Sequence, residues 1–193
     1  MQILTHRIIE NTNIAGPGRR FCLWVQGCKR HCAGCYASDT WDQEDGYLLS
    51  TEEIMQDIRD TVDIEGITFL GGEPFDQAKG LSEIGKESKM LGLSVVTFTG
   101  YTLEELKESD NNDFFELLAA TDLLIDGPFQ LDKKNLDRPW VGSSNQRYIF
   151  LTKRYSDADI SPINNKLEVR IFPNGKTIVA GMGDFISIQK SLG

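Results

Sequence analysis

Three of the four cysteines crowd into eight residues, Cys28-Lys29-Arg30-His31-Cys32-Ala33-Gly34-Cys35, and the fourth, Cys22, stands six residues earlier. Disulfide frameworks spread their cysteines along small secreted chains, so a tight cluster in a chain of 193 residues points to metal binding or redox work. The spacing Cys-x3-Cys-x2-Cys lets one loop aim three thiolates at one centre. Two chemistries fit it. Three ligands to a cubane iron–sulfur cluster leave one iron open for a substrate or cofactor. A structural zinc site fits as well, completed by Cys22 or His31. Cys22 falls in a predicted strand, where a thiol serves as a small buried hydrophobe.

The second candidate is Gly71-Gly72-Glu73-Pro74. Glycines at a strand end let the backbone approach a ligand closely and free N–H and C=O groups to bind it. A tight turn is the plainer reading of the same four residues.

These residues need elements to hold them. Phe21–Val25, Ile67–Leu70, Leu93–Phe98, Leu123–Ile125 and Tyr148–Leu151 are apolar runs rich in strand formers. Ser50–Glu53 and Thr102–Glu105 read as capping boxes that open helices. Ile54, Ile58 and Val62 recur at helical spacing behind the first. Asp76 is a candidate cap for a helix whose apolar face takes in Ala78, Leu81, Ile84 and Leu91 before Gly92 stops it. Asp113–Ala120 reads as a further helix. The alternation implies right-handed crossovers and a mostly parallel sheet. Ligands of such sheets gather at the carboxyl ends of the strands. Gly27-Cys28, Gly71–Pro74, Thr99-Gly100 and Asp126–Pro128 each follow a predicted strand, so they should share one edge. Beyond Leu151, Glu168–Phe172 and Thr177–Ala180 flank Pro173-Asn174-Gly175-Lys176 as a β-hairpin. The reading is one domain over 1–193, with a core of about 11–151 and an extension over 152–193.

Composition narrows the partners. With 20 Lys and Arg against 29 Asp and Glu the net charge is −9, which disfavours nucleic acid and anionic membrane surfaces as ligands. No apolar run approaches the roughly 20 residues of a membrane helix, and no signal-like segment opens the chain. The expectation is a cytoplasmic protein.

The cysteine spacing and Gly71–Pro74 together resemble the radical S-adenosylmethionine superfamily. Asn-x-x-Gly-Pro-Gly near the start, Cys32-Ala33-Gly34-Cys35-Tyr36, Thr40-Trp41, Thr99–Leu106, Leu124–Gly127 and Gly142–Gln146 look like the anaerobic ribonucleotide reductase activating proteins, in the same order over roughly residues 11 to 150. The resemblance implies an α/β fold, a partial β/α barrel with the hairpin as a C-terminal extension. It implies Cys28, Cys32 and Cys35 as ligands of a 4Fe–4S cluster and S-adenosylmethionine as the cofactor at the open iron. It also implies a partner whose backbone glycine becomes a radical, such as anaerobic ribonucleotide reductase, and an electron donor of flavodoxin or ferredoxin type.

The cofactor contacts it suggests are Gly71, Gly72, Glu73 and Pro74 near the ammonium group, with Gly34 and Tyr36 near the adenine, Tyr36 being equally readable as a core aromatic. Thr97 and Thr99 share one strand face, where either one of them meets the cofactor or both are ordinary β-formers. Asp126 is a candidate for ribose, a cation or a substrate backbone, or else the cap of its own turn. Ser143, Ser144 and Asn145 are candidates for the cofactor carboxylate or an incoming peptide, or form a polar turn. Arg19, Arg20, Lys29 and Arg30 put positive charge near the cysteines, with a solvated basic face as the simplest reading. His31 is read as bonding a sulfur or facing solvent, and Trp41 as packing over the loop. Pro128 and the hairpin motivate an alternative, a radical enzyme acting on another peptide or a small molecule. A non-catalytic zinc-binding or electron-transfer module is the alternative of another class.

Overall fold

The computed structural model describes residues 1–175 and 177–183. Lys176, expected in the hairpin turn, and residues 184–193 of the expected extension lie outside the described residues. Seven strands form one sheet: Gln2–Thr12 (β1), Arg20–Val25 (β2), Tyr47–Ser50 (β3), Gly66–Gly71 (β4), Ser94–Phe98 (β5), Leu123–Asp126 (β6) and Arg147–Phe150 (β7). Their order is β3-β1-β2-β4-β5-β6-β7. The four central strands β2, β4, β5 and β6 run parallel. β1, β3 and β7 pair antiparallel at the two sides, so the expected parallel sheet is the centre of a mixed one.

Alternation of side chains along β2 sorts the core into two layers. Phe21, Leu23 and Val25 point to one face and pack with Ile54, Ile58, Leu81 and Ile84 from the helices Thr51–Asp60 (α1) and Ala78–Met90 (α2). Leu103–Glu108 (α3) and Asn112–Ala120 (α4) continue that layer through Leu106 and Leu117. Cys22 and Trp24 point to the opposite face, against Ile9, Ile14 and Ala15. With both faces covered, all six residues of β2 are buried, which is why Phe21–Val25, after the buried Arg20, reads as an unbroken apolar run.

Local signals placed the helix starts well. Glu53 N–H donates to Ser50 Oγ and Ser50 N–H to Glu53 Oε2, at 3.1 and 2.7 Å. Thr102 and Glu105 repeat the reciprocal pair at 3.2 and 2.6 Å. Three helix expectations need correction. Val62 and Leu91 are 72% and 51% exposed, because α1 ends at Asp60 and Leu91 is the residue that closes α2. Asp76 is no cap: it lies within a short 3-10 turn, Pro74–Gln77, and the side chain that caps this turn is Glu73.

The inner face of the sheet is covered by the hairpin Leu167–Ile171 (β8) and Thr177–Gly181 (β9), after a single helical turn at Asp157–Ile160 (α5). Ala180 and Ile178 of β9 pack onto the cluster around Trp24. Glu168 meets the Thr12 hydroxyl and Arg170 Nη2 donates to the carbonyl of Glu10 at 2.8 Å, tying the hairpin to β1. Among the described residues no helix is long and apolar enough to cross a membrane.

Candidate metal and cofactor centre

The carboxyl ends of β2, β4, β5 and β6 surround a cavity of about 410 Å³, and residues following each of these strands line it: Cys28, Gly72, Thr99 and Gly127. Cys32 and Cys35 line it too. Strand polarity alone brings these segments together, since four parallel strands present their carboxyl ends on one edge.

The cysteine loop leaves β2 through Gly27 and is anchored on both sides. Gly27 N–H donates to Thr40 O at 2.8 Å and Cys28 N–H to Trp41 O at 3.1 Å. Cys35 N–H closes back on Cys32 O at 3.0 Å. All three thiols are free and half-buried. Burial pushes Cys28 and Cys35 up from the usual thiol range. Opposing that, the backbone N–H groups of Arg30 and His31 point at the Cys28 sulfur, and Ala37 N–H lies 3.4 Å from the Cys35 sulfur. Donors aimed at sulfur favour the thiolate and are among the protein's levers on an iron–sulfur cluster.

Neither candidate for a fourth ligand faces the cavity. Cys22 is fully buried on β2 within the apolar cluster, where burial pushes its thiol up to about 12. His31 is exposed and stacks on Trp41, ring centroids 4.7 Å apart and 11° from parallel. Trp41 thus packs over the loop as its sequence position suggested. Among the described residues no three Cys, His, Asp or Glu side chains are gathered as a ready seat for a single ion. Three half-buried thiols on the wall of one cavity, with N–H groups directed at two of the sulfurs, suit a cluster that keeps one iron open.

The glycine segment has a role that sequence did not anticipate. A Cβ on Gly72 would sit 2.2 Å from Gly27 O, and one on Gly71 2.8 Å from Val25 O, with Gly71 at a φ of +104°. Gly72 N–H donates to Val25 O at 2.8 Å and Glu73 N–H to Gly27 O at 2.9 Å. The two glycines therefore clasp β4 to the end of β2, directly beside Cys28, while still lining the cavity. Pro74 is buried in the turn that follows.

Glu73 is 1% exposed and turned toward β5. Its carboxylate accepts from Phe75 N–H at 3.0 Å, Thr99 Oγ1 at 2.8 Å and Gly100 N–H at 2.8 Å. Burial outweighs these donors and raises its pKa to about 7. The remaining candidates divide by position. Thr99 lines the cavity, whereas the Thr97 hydroxyl is bonded to Thr121 Oγ1 at 2.8 Å on β5's buried side. Tyr36 lines it, edge-on to Phe129 at 5.8 Å; Gly34 is exposed and borders Leu131. Asp126 is wholly buried, accepting from Leu103 N–H at 2.8 Å and from Arg147 Nη2 at 2.6 Å, so it caps α3 and pairs with β7. Ser143 accepts from Gln130 N–H, and Asn145 donates to Pro128 O. These two, with exposed Ser144, shape a turn whose neighbours Gly142 and Gln146 supply the cavity wall.

The four basic residues do not form one face. Arg19 and Lys29 are exposed. Arg20 is fully buried at the far end of β2, donating to Thr68 Oγ1, Pro17 O and Ser94 O. Arg30 lines the cavity with its guanidinium 4.6 Å above the Tyr101 ring. Sequence reading also missed Arg7 and residues Val179–Met182 at the end of β9, which complete the wall. Their signal is tertiary: each is placed by a strand neighbour distant in sequence.

Comparison with known proteins gives a consistent result. The family described as a 4Fe-4S single cluster domain matches residues 14–149. The anaerobic ribonucleoside-triphosphate reductase-activating protein of Vibrio cholerae is 33% identical over 142 residues, 69% of this chain and 88% of that one. Its counterpart in Escherichia coli K12 is 33% identical over 143 residues, 69% of this chain and 89% of that one. That of Enterobacteria phage T4 is 31% identical over 151 residues, 73% and 90% of the two chains. Among solved structures, QueE from Escherichia coli overlaps at a TM-score of 0.45 and 20% identity over 53% of this chain and 54% of that one, too loosely to carry an assignment.

Proposed function

The chain belongs to the family of anaerobic ribonucleoside-triphosphate reductase-activating proteins, and on that footing we propose that it installs a glycyl radical on an anaerobic ribonucleotide reductase. It is an activating enzyme of the radical S-adenosylmethionine type, with a 4Fe–4S cluster and S-adenosylmethionine as cofactors. When bound, they supply a one-electron cleavage of the sulfonium C–S bond and a carbon radical able to remove a hydrogen atom. The observation that carries the reading is the meeting of Cys28, Cys32 and Cys35 with Gly71 and Gly72 on one cavity wall, with Cys22 and His31 both turned away.

The chain's own residues bind, orient and exclude water. Cys28, Cys32 and Cys35 hold the cluster. The clasp of Gly71 and Gly72 onto Val25 and Gly27 fixes the cofactor's amino-acid end relative to Cys28, and the Glu73 carboxylate rigidifies that clasp from behind. Thr99 and Tyr36 form walls, while Trp24, Leu70, Phe98 and Ile125 give the cavity an apolar floor. Such a floor keeps water from a reactive intermediate. The sheet is the truncated, open-sided form of a β/α barrel, and the chain acts as one domain in the cytoplasm. A partner loop carrying the target glycine enters from the open side; electrons arrive from a flavodoxin- or ferredoxin-type donor. Nucleic acid is not a ligand.

The test is to mix the anaerobically reconstituted protein, reductant and S-adenosylmethionine with the candidate reductase and record its EPR spectrum. A glycyl doublet is expected. Cofactor cleavage with no doublet would remove this target and favour the second reading, a radical enzyme acting on another peptide or a small molecule. The hairpin motivates that second reading, since it lines the cavity yet lies beyond the 14–149 match.

A further inference from the structure

Arg7 projects from β1 into the cavity, its guanidinium 4.9 Å above the ring of Trp24 on the neighbouring strand. Its Nε is buried, and among the described residues no group accepts a hydrogen bond from it. Among the described residues, the other cation that lines the cavity has a carboxylate partner. Arg30 has Glu105 Oε1 at 3.6 Å and Arg147 has Asp126 and Glu104. The carboxylate nearest in effect to Arg7 is Asp39, which is engaged by His6 Nε2 at 3.4 Å and is largely exposed. A half-buried guanidinium without an acceptor costs free energy that an anionic ligand recovers. Burial lowers the Arg7 pKa, in line with a charge still waiting for its partner.

The ligand this cavity takes carries one anion. S-adenosylmethionine has a cationic sulfonium, a cationic ammonium and a single carboxylate. We propose that Arg7 anchors that carboxylate, holding the methionine end of the cofactor against β1 and β2. The inference rests on the reading of this cavity as the cofactor site. The cation–π contact with Trp24 holds the guanidinium at the cavity wall.

The experiment compares two probes that differ by one group, S-adenosylhomocysteine and its decarboxylated analogue, binding to cluster-loaded protein under anaerobic conditions by calorimetry. In the Arg7→Gln protein, S-adenosylhomocysteine should bind about 10–100-fold more weakly, the cost of losing a charged hydrogen bond, while the decarboxylated analogue binds as to the parent. Arg7→Lys should recover part of the loss. Equal weakening of both probes, or of neither, overturns the assignment. If the parent protein binds neither probe, the cavity reading itself fails and the assignment falls with it. Thermal unfolding of the ligand-free Arg7→Met protein is the independent check: a residue waiting for a ligand is replaceable there by an apolar side chain with little change in midpoint. A drop of many degrees would make Arg7 structural and overturn the proposal.

Discussion

Glu73 Oε1 accepts the hydroxyl proton of Thr99 at 2.8 Å, and through it the end of β4 is bonded to the end of β5. The same carboxylate holds Gly100 N–H at 2.8 Å. The loops that follow β4 and β5 are thereby one hydrogen-bonded unit behind the cavity wall.

That carboxyl titrates within reach of experiment. Its pKa is raised from 4.5 to about 7 by burial. Between those values the folded chain keeps a proton that the unfolded chain has released, so stability falls as pH rises from about 4.5 to about 7 and levels off above. The loss is on the order of 3 kcal/mol. Urea unfolding of the cluster-free protein should show this slope, and Glu73→Gln should lack it. A parent and variant with parallel pH profiles would place the Glu73 pKa elsewhere.

Replacing Cys32 by Ala should abolish cluster loading, read as lost iron and lost visible absorption after anaerobic reconstitution. Cys22→Ala should load iron as the parent does and lose about 1 kcal/mol of stability from its buried site. Equal loss of iron in both would make Cys22 a ligand.

Gly72→Ala drives a methyl to within 2.2 Å of Gly27 O. Backbone must move, at a cost of about 1–3 kcal/mol or more, and the cysteine loop moves with it. Lower stability together with weaker S-adenosylhomocysteine binding is expected. Gly92→Ala is the control, since nothing lies within 4 Å and only its φ of +81° penalises a side chain. It should cost about 1 kcal/mol and leave binding intact.

Arg20→Met removes the donors that Thr68, Pro17 and Ser94 accept in a fully buried site. A loss of about 2–4 kcal/mol is expected, because several buried acceptors are left unpaired. Chemical denaturation measures it, and a loss under about 1 kcal/mol would show that the network rearranges.

Much of this architecture was legible because its signals are local. The capping residues of Ser50 and Thr102 act within one helical turn, and the cysteine spacing is itself the geometry of a loop. β1 escaped because its register shifts between Thr5 and Arg7 and again between Ile9 and Thr12, which breaks the period of two that marks a strand. Arg20 was misread because a buried guanidinium looks, in sequence, like a surface one; its acceptors lie as far as 74 residues away. Asp126 and Asn145 fell on the correct edge, yet Asp126 is bonded to α3 and β7 and Asn145 to the loop at Pro128. Strand order predicts who shares an edge; only packing decides which side chain turns inward.

The hairpin that completes the cavity wall carries a consequence for the order of synthesis. Among the described residues, Val179–Met182 are the last lining residues to leave the ribosome, some 150 positions after the cysteine loop. The three thiols therefore emerge, and can fold into their loop, while one side of their chamber has yet to be made. Once β9 docks against Trp24 through Ala180 and Ile178, that side of the chamber is in place.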